Sequence, residues 1–153
     1  MAVRSLRFEG DPVLLHTAAP VDVFDETLAA LVRDMFETMY AAPGRGLAAP
    51  QVGVSRRVFV VDTAWKEAEP DPMIFVNPQI TARADEEAIG TEACLSIPGK
   101  SFDVSRPIWV ALSWQDLDGS ARSGRFEGVQ AVCICHEFDH LEGLLITQTG
   151  SPQ

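Results

Sequence analysis

The sequence has no long apolar segment and no long basic segment, and these absences narrow the class of protein. Its 153 residues contain no uninterrupted apolar run of the ~18 residues that a membrane-spanning helix needs. Residues 1–12 also lack the apolar core of a secretory signal. The longest basic run is Arg56-Arg57, and the formal net charge is −10. We therefore expect no membrane association and no direct nucleic-acid binding, because anionic surfaces repel such a chain.

Cysteine is also scarce, since only Cys94, Cys133 and Cys135 occur. An odd number, with two of the three only two positions apart, argues against the disulfide framework of a small secreted protein. Free thiols in a reducing compartment fit this pattern better. We therefore expect a cytoplasmic protein whose cysteines pack in a core or bind a metal ion.

The apolar spacing predicts two helices, with strands between them. Residues 26–42 carry an apolar stripe at helical spacing, with Asp25 as the N-cap and Pro43-Gly44 as the stop. We expect a second helix from Glu127 to about His140. This order of elements indicates an α+β fold.

The intervening segments predict strands by their β-branched and aromatic content. They cover 56–62, 73–80 with Pro78 near a bulge or an end, and 105–119, which enters a turn at Asp118-Gly119. We place one catalytic domain over residues 1–146 and a short polar tail over residues 147–153.

The segment ICHEFDHLEG at 134–143 contains the pattern H-E-x-x-H, in His136, Glu137 and His140. Residues four apart on an α-helix lie on one face, so both imidazoles can bind one metal ion. The carboxylate next to the first ligand then reaches the water at the metal rather than the metal itself. Two of the chain's three histidines have this spacing, which predicts a metal site of the kind found in hydrolases.

A catalytic metal site also needs a third protein ligand and one open position. An Asp, a Glu or a Cys could supply that ligand. Cys94, in TEACLSIPG, is the strongest candidate, because it follows an acidic segment and precedes the turn signal Pro98-Gly99. The alternative is that Cys94 is a small buried apolar residue.

Three ordered segments carry a resemblance to a known family. They are GRGLAAPQ at 44–51, EACLS at 92–96 and CHEFDHLEG at 135–143. They resemble the motifs G-x-G-L-A-A-x-Q, E-G-C-L-S and Q-H-E-x-D-H-L-x-G of the peptide deformylases, and the likeness continues to about Ile146. The resemblance implies that family's α+β fold, with antiparallel strands around a central metal-binding helix.

The resemblance also implies a reaction, the metal-dependent removal of the N-formyl group from N-formylmethionyl peptides of nascent proteins. Cys94, His136 and His140 would bind the metal ion, and Glu137 would be the general base and acid. One thiolate and two imidazoles suit Fe2+, Zn2+, Ni2+ or Co2+, and the family favours Fe2+. We expect at most a weak ribosome association, because the residues after Ile146 are too few for the C-terminal helix of many bacterial members.

The resemblance also implies that four further residues contact the substrate. The Gln51 amide and the Leu95 backbone N–H would stabilise the oxyanion. Gly46 would let the substrate backbone come close. Arg45 would lie at the pocket for the methionine side chain, where the family usually has an apolar residue.

The chain departs from the family pattern at four positions. Arg45 either turns its guanidinium to solvent or changes the substrate pocket. Ser101 stands where an arginine is common near the substrate mouth, and Arg45 could replace that charge. Ala93 replaces a glycine and is harmless if its φ is negative. Cys135 replaces a glutamine and lies about 100° around the helix from His136, so we expect it to pack rather than bind metal.

Two other functions remain open from the sequence. Arg45 and Ser101 motivate a divergent deformylase-like paralogue with a different N-acyl-peptide substrate. A metal-binding or peptide-binding relative without turnover is the other alternative. Glu137 argues against the second, because a structural metal site has no need of that carboxylate.

Overall fold

The computed structural model describes residues 2–153. Its helices are α1 (Glu26–Ala41), α2 (Gly128–Leu141) and the single turn α3 (Ile146–Thr149). Short 3-10 turns cover Pro12–Leu15 and Ala49–Val52. The strands are β1 (Gly46–Ala48), β2 (Val58–Val61), β3 (Met73–Arg83), β4 (Glu87–Cys94), β5 (Ile97–Pro107), β6 (Trp109–Gln115), β7 (Ala121–Glu127) and β8 (Ser151–Pro152).

The strands form two antiparallel sheets around the helix α2. The larger sheet has the order β1-β2-β3-β6-β7, and the smaller has the order β4-β5-β8. Helix α2 contacts β1, β2, β6 and β7 of the larger sheet and β5 of the smaller one. The predicted α+β arrangement, with antiparallel strands around a central helix, is therefore confirmed.

Both predicted long helices are present. Asp25 caps α1, since its Oδ1 accepts hydrogen bonds from the backbone N–H groups of Thr27 and Leu28 at 3.1 and 3.3 Å. The apolar stripe of α1 packs on one face of the larger sheet, and α2 packs on the other face. No helix within residues 2–153 is long and apolar enough to cross a membrane.

The predicted strand at 105–119 is wrong as a single element. Residues 105–107 end β5 in the smaller sheet, and the chain crosses at Ile108 into β6 of the larger sheet. Pro107, which lacks an N–H, lies where the chain leaves the first sheet. The predicted turn at Asp118-Gly119 is confirmed, with a hydrogen bond of 3.0 Å from Gly119 N to Asp116 O.

The other strand predictions are confirmed with adjusted bounds. β2 covers the centre of the predicted 56–62 strand, and β3 extends three residues beyond the predicted end at 80. The register of β3 against β6 shifts between Val76 and Gln79, which places the predicted bulge at Pro78. Strands β4 and β7 had no clear sequence signal, because most of their residues are exposed on both faces.

The residues after Ile146 pack against the smaller sheet. Strand β8 pairs with β5 through Phe102 opposite Pro152 and Asp103 opposite Ser151. The Gln153 amide also donates to Oδ1 of Asp103 at 2.7 Å. The polar tail thus adds a third strand to the sheet that carries Cys94.

Candidate metal centre

Helix α2 and the end of β4 bring three candidate metal ligands together. One ligand atom from each of Cys94, His136 and His140 lies within 4.8 Å of the other two, and all three residues are buried. The Cys94 Sγ lies 3.4 Å from Nε2 of His140. The two imidazoles lie one helical turn apart in an edge-to-face arrangement, with ring centres separated by 5.1 Å. The candidate ligands from the helix and from the EACLS segment therefore form one cluster.

A carboxylate behind the cluster fixes the orientation of His136. Glu92 Oε1 lies 2.9 Å from Nδ1 of His136. Both Glu92 oxygens also accept from the Arg106 guanidinium, at 2.9 Å each, and Arg106 donates to Asp139 at 2.6 Å. A ligating histidine commonly gives its second ring nitrogen to such a carboxylate, which leaves Nε2 for the metal.

These contacts shift the protonation of the groups around the cluster. Burial by itself raises the pKa of Glu92, but the hydrogen bonds from His136 and Arg106 outweigh it and lower that pKa to about 2. Burial opposes the charged form of His136, yet Glu137, Cys94 and Glu92 together raise its pKa to about 10. Metal binding competes with this proton, because a ligating imidazole is neutral.

The second histidine and the neighbouring glutamate respond mainly to burial. Burial lowers the pKa of His140, and the positive charges of His136 and Arg106 lower it further. His140 is thus neutral, as a ligand must be. Burial raises the pKa of Glu137 to about 7. A carboxyl group poised near neutrality can both accept and return a proton.

Glu137 lies against the edge strand β1. A Cβ atom built on Gly46 would be 2.6 Å from Glu137 Oε2 and 2.9 Å from Cys133 Sγ. Any side chain at position 46 would therefore displace the carboxylate or the thiol. Cys133 is close enough to contact the backbone O of Arg45, at 3.5 Å. This thiol packs against the core between α2 and the larger sheet and also lines the cavity described below.

Gln51 approaches the cluster from the other side. Its Nε2 lies 3.7 Å from the Cys94 Sγ and donates to Ser96 Oγ at 3.1 Å, while its Oε1 accepts from the Ala48 N–H at 2.9 Å. These three contacts hold a buried amide beside the candidate ligand thiol. Leu95 follows Cys94 in the chain, and its side chain reaches the position where a Cβ of Gly44 would be.

The donor atoms of the cluster fit a divalent transition metal ion. Among residues 2–153, Nδ1 of His140 and Oε1 of Glu137 are buried without a hydrogen-bond partner. Three converging buried donors beside an unsatisfied carboxylate oxygen are costly unless a cation or water completes them. One sulfur and two nitrogen donors suit Fe2+, Zn2+, Ni2+ or Co2+.

A cavity of about 720 Å³ opens above the cluster. Its walls include the edge strand β1 on one side and the end of β4, with the turn after it, on the other side. Glu137, His136 and Cys94 face it from within, and Leu95, Val129 and Val132 add apolar surface. The space is large enough for a peptide segment several residues long.

Three departures from the family pattern have clear local environments. Arg45 lines the cavity, and its guanidinium is paired with Glu67 at 2.6 Å. Ala93 has no left-handed φ, so the residue before Cys94 is unstrained, as expected. Cys135 is buried in the core between α2 and the larger sheet and does not belong to the metal-binding cluster, also as expected. Burial raises the pKa of its thiol to about 11.

Ser101 pairs with Ala93 across the smaller sheet. The idea that Arg45 replaces a charge missing at position 101 stays a prediction. Sequence reasoning missed Arg106, whose partners Glu92 and Asp139 come from β4 and α2. It also missed the supporting role of Glu92, although Glu92 begins the EACLS motif. Asp139 of α2 accepts a hydrogen bond from Arg106 and so belongs to the same network.

A buried cysteine and two imidazoles below an open cavity, with a carboxyl group of raised pKa beside them, define a metal-dependent hydrolase. A family model described as polypeptide deformylase matches residues 3–153. The chain therefore belongs to the polypeptide deformylase family.

Individual relatives agree with this assignment. A peptide deformylase from Zymomonas mobilis is 47% identical over 139 residues, which cover 88% of this chain and 78% of the relative. The crystal structure of peptide deformylase from Thermotoga maritima is similar with a TM-score of 0.93 and 39% identity, over 98% of this chain and 99% of that one. A Met-Ala-Ser-bound peptide deformylase from Acinetobacter baumannii has a TM-score of 0.90 at 32% identity, over 96% of this chain and 98% of that one. These matches do not favour a divergent paralogue with a different substrate.

Proposed function

We propose that this enzyme removes the N-formyl group from N-formylmethionyl peptides of nascent proteins, with the residues named below in their individual roles. The observation that carries the proposal is that the Cys94, His136 and His140 cluster and the Glu137 carboxyl group lie at the same open cavity. Membership of the family supports the reaction, and the donor set supports a single divalent ion.

Cys94, His136 and His140 hold that ion, and Fe2+ is our first choice among Fe2+, Zn2+, Ni2+ and Co2+. When bound, the ion would lower the pKa of a water molecule and act as a Lewis acid toward the formyl oxygen. Glu92 keeps His136 in the orientation that exposes Nε2, and Arg106 keeps Glu92 ionised.

The cavity walls favour an extended peptide as the substrate. Strands β1 and β4 are both edge strands, and an edge strand offers backbone N–H and C=O groups to an added strand. A peptide in the cavity would run between them and place its N-terminus over Glu137. The Met-Ala-Ser bound to the Acinetobacter baumannii relative is a ligand of this chemical kind.

The reaction follows from the placement of four groups. Water adds to the formyl carbon while Glu137 accepts its proton. The carbonyl oxygen gains negative charge, which the Gln51 amide and the Leu95 backbone N–H stabilise. Glu137 then gives the proton to the amine nitrogen as the C–N bond breaks, and formate and a free N-terminus result. Gly46 leaves room for the substrate backbone beside Glu137.

We place this activity in the cytoplasm, where formylated chains are made. The proposal includes a weak association with ribosomes that carry such chains. Co-sedimentation of the protein with translating and empty ribosomes at low and at physiological salt tests this part.

The main test is the release of formate by Fe2+-loaded protein under anaerobic conditions. The substrate is formyl-Met-Ala-Ser, and the controls are the N-acetyl and the unblocked peptides. Rapid formate release from the first peptide alone supports the proposal. A protein that binds one metal ion per chain and yet releases no formate would contradict it. Loading the same preparation with Zn2+, Ni2+ or Co2+ ranks the metals.

A further inference from the structure

The chain has only two lysines, and both lie at the same cavity. Lys66 and Lys100 are the only lysines in the sequence, and both line the cavity above the metal centre. Both side chains are exposed. The chain has a net charge of −10, and a random placement of two lysines on its surface would not bring both to one cavity. The opening of the cavity is therefore unusually positive for this protein.

The two lysines come from opposite walls. Lys66 lies in the segment 62–71, which Asp62 ties down by accepting backbone N–H groups, Asp71 N among them at 3.1 Å. Trp65 Nε1 donates to the O of Gly44 at 2.9 Å and so fixes this segment beside β1. The Lys66 ammonium lies 5.6 Å from the Trp65 ring centre, a contact that positions the charge without neutralising it.

Lys100 projects from the other wall, near the metal ligand Cys94. In the pairing of β4 with β5, Cys94 lies opposite Ile97, while Ala93 lies opposite Ser101. The three residues 98–100 are therefore extra on the β5 side and form an exposed bulge. Lys100 ends this bulge. A peptide that leaves the metal centre along the cavity would pass between Lys66 and Lys100.

The other charges at the cavity are already compensated by partners. Arg45 is paired with Glu67, and Glu92 is paired with Arg106. Neither lysine has an acidic group at salt-bridge distance within residues 2–153. Glu137 is buried at the reacting end of the cavity. Two uncompensated positive charges thus remain for a ligand.

We propose that Lys66 and Lys100 recognise a carboxylate on the substrate chain, downstream of the formylated residue. The enzyme then prefers formyl peptides with Asp or Glu in the first few positions after the methionine, and disfavours Lys or Arg there. This inference rests on the proposed deformylase function and adds a selectivity to it. A side-chain carboxylate and the C-terminal carboxylate of a short peptide share the recognised chemistry.

The test compares kcat/KM for a set of C-terminally amidated peptides based on formyl-Met-Ala-Ala-Ala-amide. Glu, Gln or Lys is placed at the second, third or fourth position, one at a time. A further peptide with a free C-terminal carboxylate separates terminal from side-chain recognition. We expect at least one Glu peptide to exceed its Gln counterpart by about threefold to tenfold, as one or two partly exposed ion pairs allow. The ratio should fall toward one in high salt.

Variants assign the effect to the two lysines. The Lys66→Gln, Lys100→Gln double variant should bring the ratio of Glu to Gln peptides close to one. Arg33→Gln, which removes an exposed positive charge on α1 that pairs with Glu26, should keep the wild-type ratio. A wild-type ratio near one at every position, or a ratio that survives the double substitution, overturns the inference. Hydrolysis of the neutral Gln peptides is the separate measure of the proposed function, so the two failures are distinguishable.

Discussion

Glu92 and His136 meet through Oε1 and Nδ1 at 2.9 Å, although they come from different elements and are 44 residues apart in the chain. The contact leaves Nε2 as the ring nitrogen of His136 that can bind a metal ion. Arg106 completes the arrangement, because it holds both oxygens of the same carboxylate. The helix with the candidate ligands His136 and His140 is thus oriented by the smaller sheet, which also carries the candidate ligand Cys94.

Replacing Glu92 with Gln should weaken metal binding. The neutral amide still fits the site, but it no longer raises the basicity of His136 as a carboxylate does, and we expect the metal dissociation constant to rise about tenfold to 100-fold. Competition with a chelator of known affinity measures this change. Glu87→Gln is the matched control, since Glu87 is an exposed residue of the same strand. Equal metal affinity in both variants would contradict this role of Glu92.

Arg106→Met should strongly destabilise the protein. The substitution leaves Glu92 without its cation in a buried site, and breaking a buried pair in this way costs about 3–5 kcal/mol. Urea unfolding at neutral pH measures the difference. Arg122→Met removes an exposed pair with Asp116 and should cost less than about 1 kcal/mol. Similar losses in the two variants would refute the buried-network interpretation.

The same network should make the protein sensitive to acid. The pKa of Glu92 is lowered to about 2 in the folded state, below the ordinary value of 4.5, so its stabilising effect is present above pH 4.5. That contribution is lost as the pH falls from 4.5 toward 2. In Glu92→Gln the free energy of unfolding should therefore depend less on pH in this window. Parallel wild-type and variant curves there would show that other carboxylates cause the acid sensitivity.

The sequence predicted which candidate metal ligands would lie together, because two of their positions follow from a local rule. His136 and His140 are one helical turn apart, so a helix alone brings them together. Cys94 belonged to a separate motif, and the resemblance of three ordered motifs linked it to the helix. Gln51 likewise belonged to a motif, and it lies beside Cys94 in the structure.

Features that depend on the meeting of distant elements were not predictable in the same way. Arg106 lies in β5, while its partners lie in β4 and α2, so no spacing in the sequence indicates the network. The strand boundary at Pro107 also escaped prediction, because the apolar pattern continues through the crossing between the two sheets. Lys66 and Lys100 likewise lie far apart in the sequence, and only the fold brings both to the cavity.

Glu137→Gln should remove hydrolysis while metal binding persists. The amide fills the same space but cannot transfer the proton, which should lower kcat by about 100-fold to 10,000-fold. Metal analysis of the purified variant supplies the control. The pKa of Glu137 is raised to about 7, so ionisation of the wild-type carboxyl costs stability as the pH rises through that value. Metal-free Glu137→Gln should then be more stable than metal-free wild type at pH 8. Substantial residual turnover by the metal-loaded variant would contradict the mechanism.

Gly46→Ala should impair catalysis more than it impairs folding. The added methyl group would lie 2.6 Å from Glu137 Oε2 and 2.9 Å from Cys133 Sγ, so the carboxylate must move away from its place beside the metal ligands. Because a misplacement of about 1 Å can cost on the order of 100-fold, we expect kcat/KM to fall by roughly that factor. Gly90→Ala is the matched control: this glycine lies in β4 with no atom within 4 Å of an added Cβ, and alanine there should leave turnover and thermal stability close to wild type.

The combination of Gly46→Ala with Cys133→Ala tests the source of the strain, since it relieves the contact with the thiol but not the contact with the carboxylate. Activity that stays low in the double variant assigns the defect to Glu137, whereas recovery to the level of Cys133→Ala alone would show that the thiol, and not the carboxylate, requires a glycine at position 46.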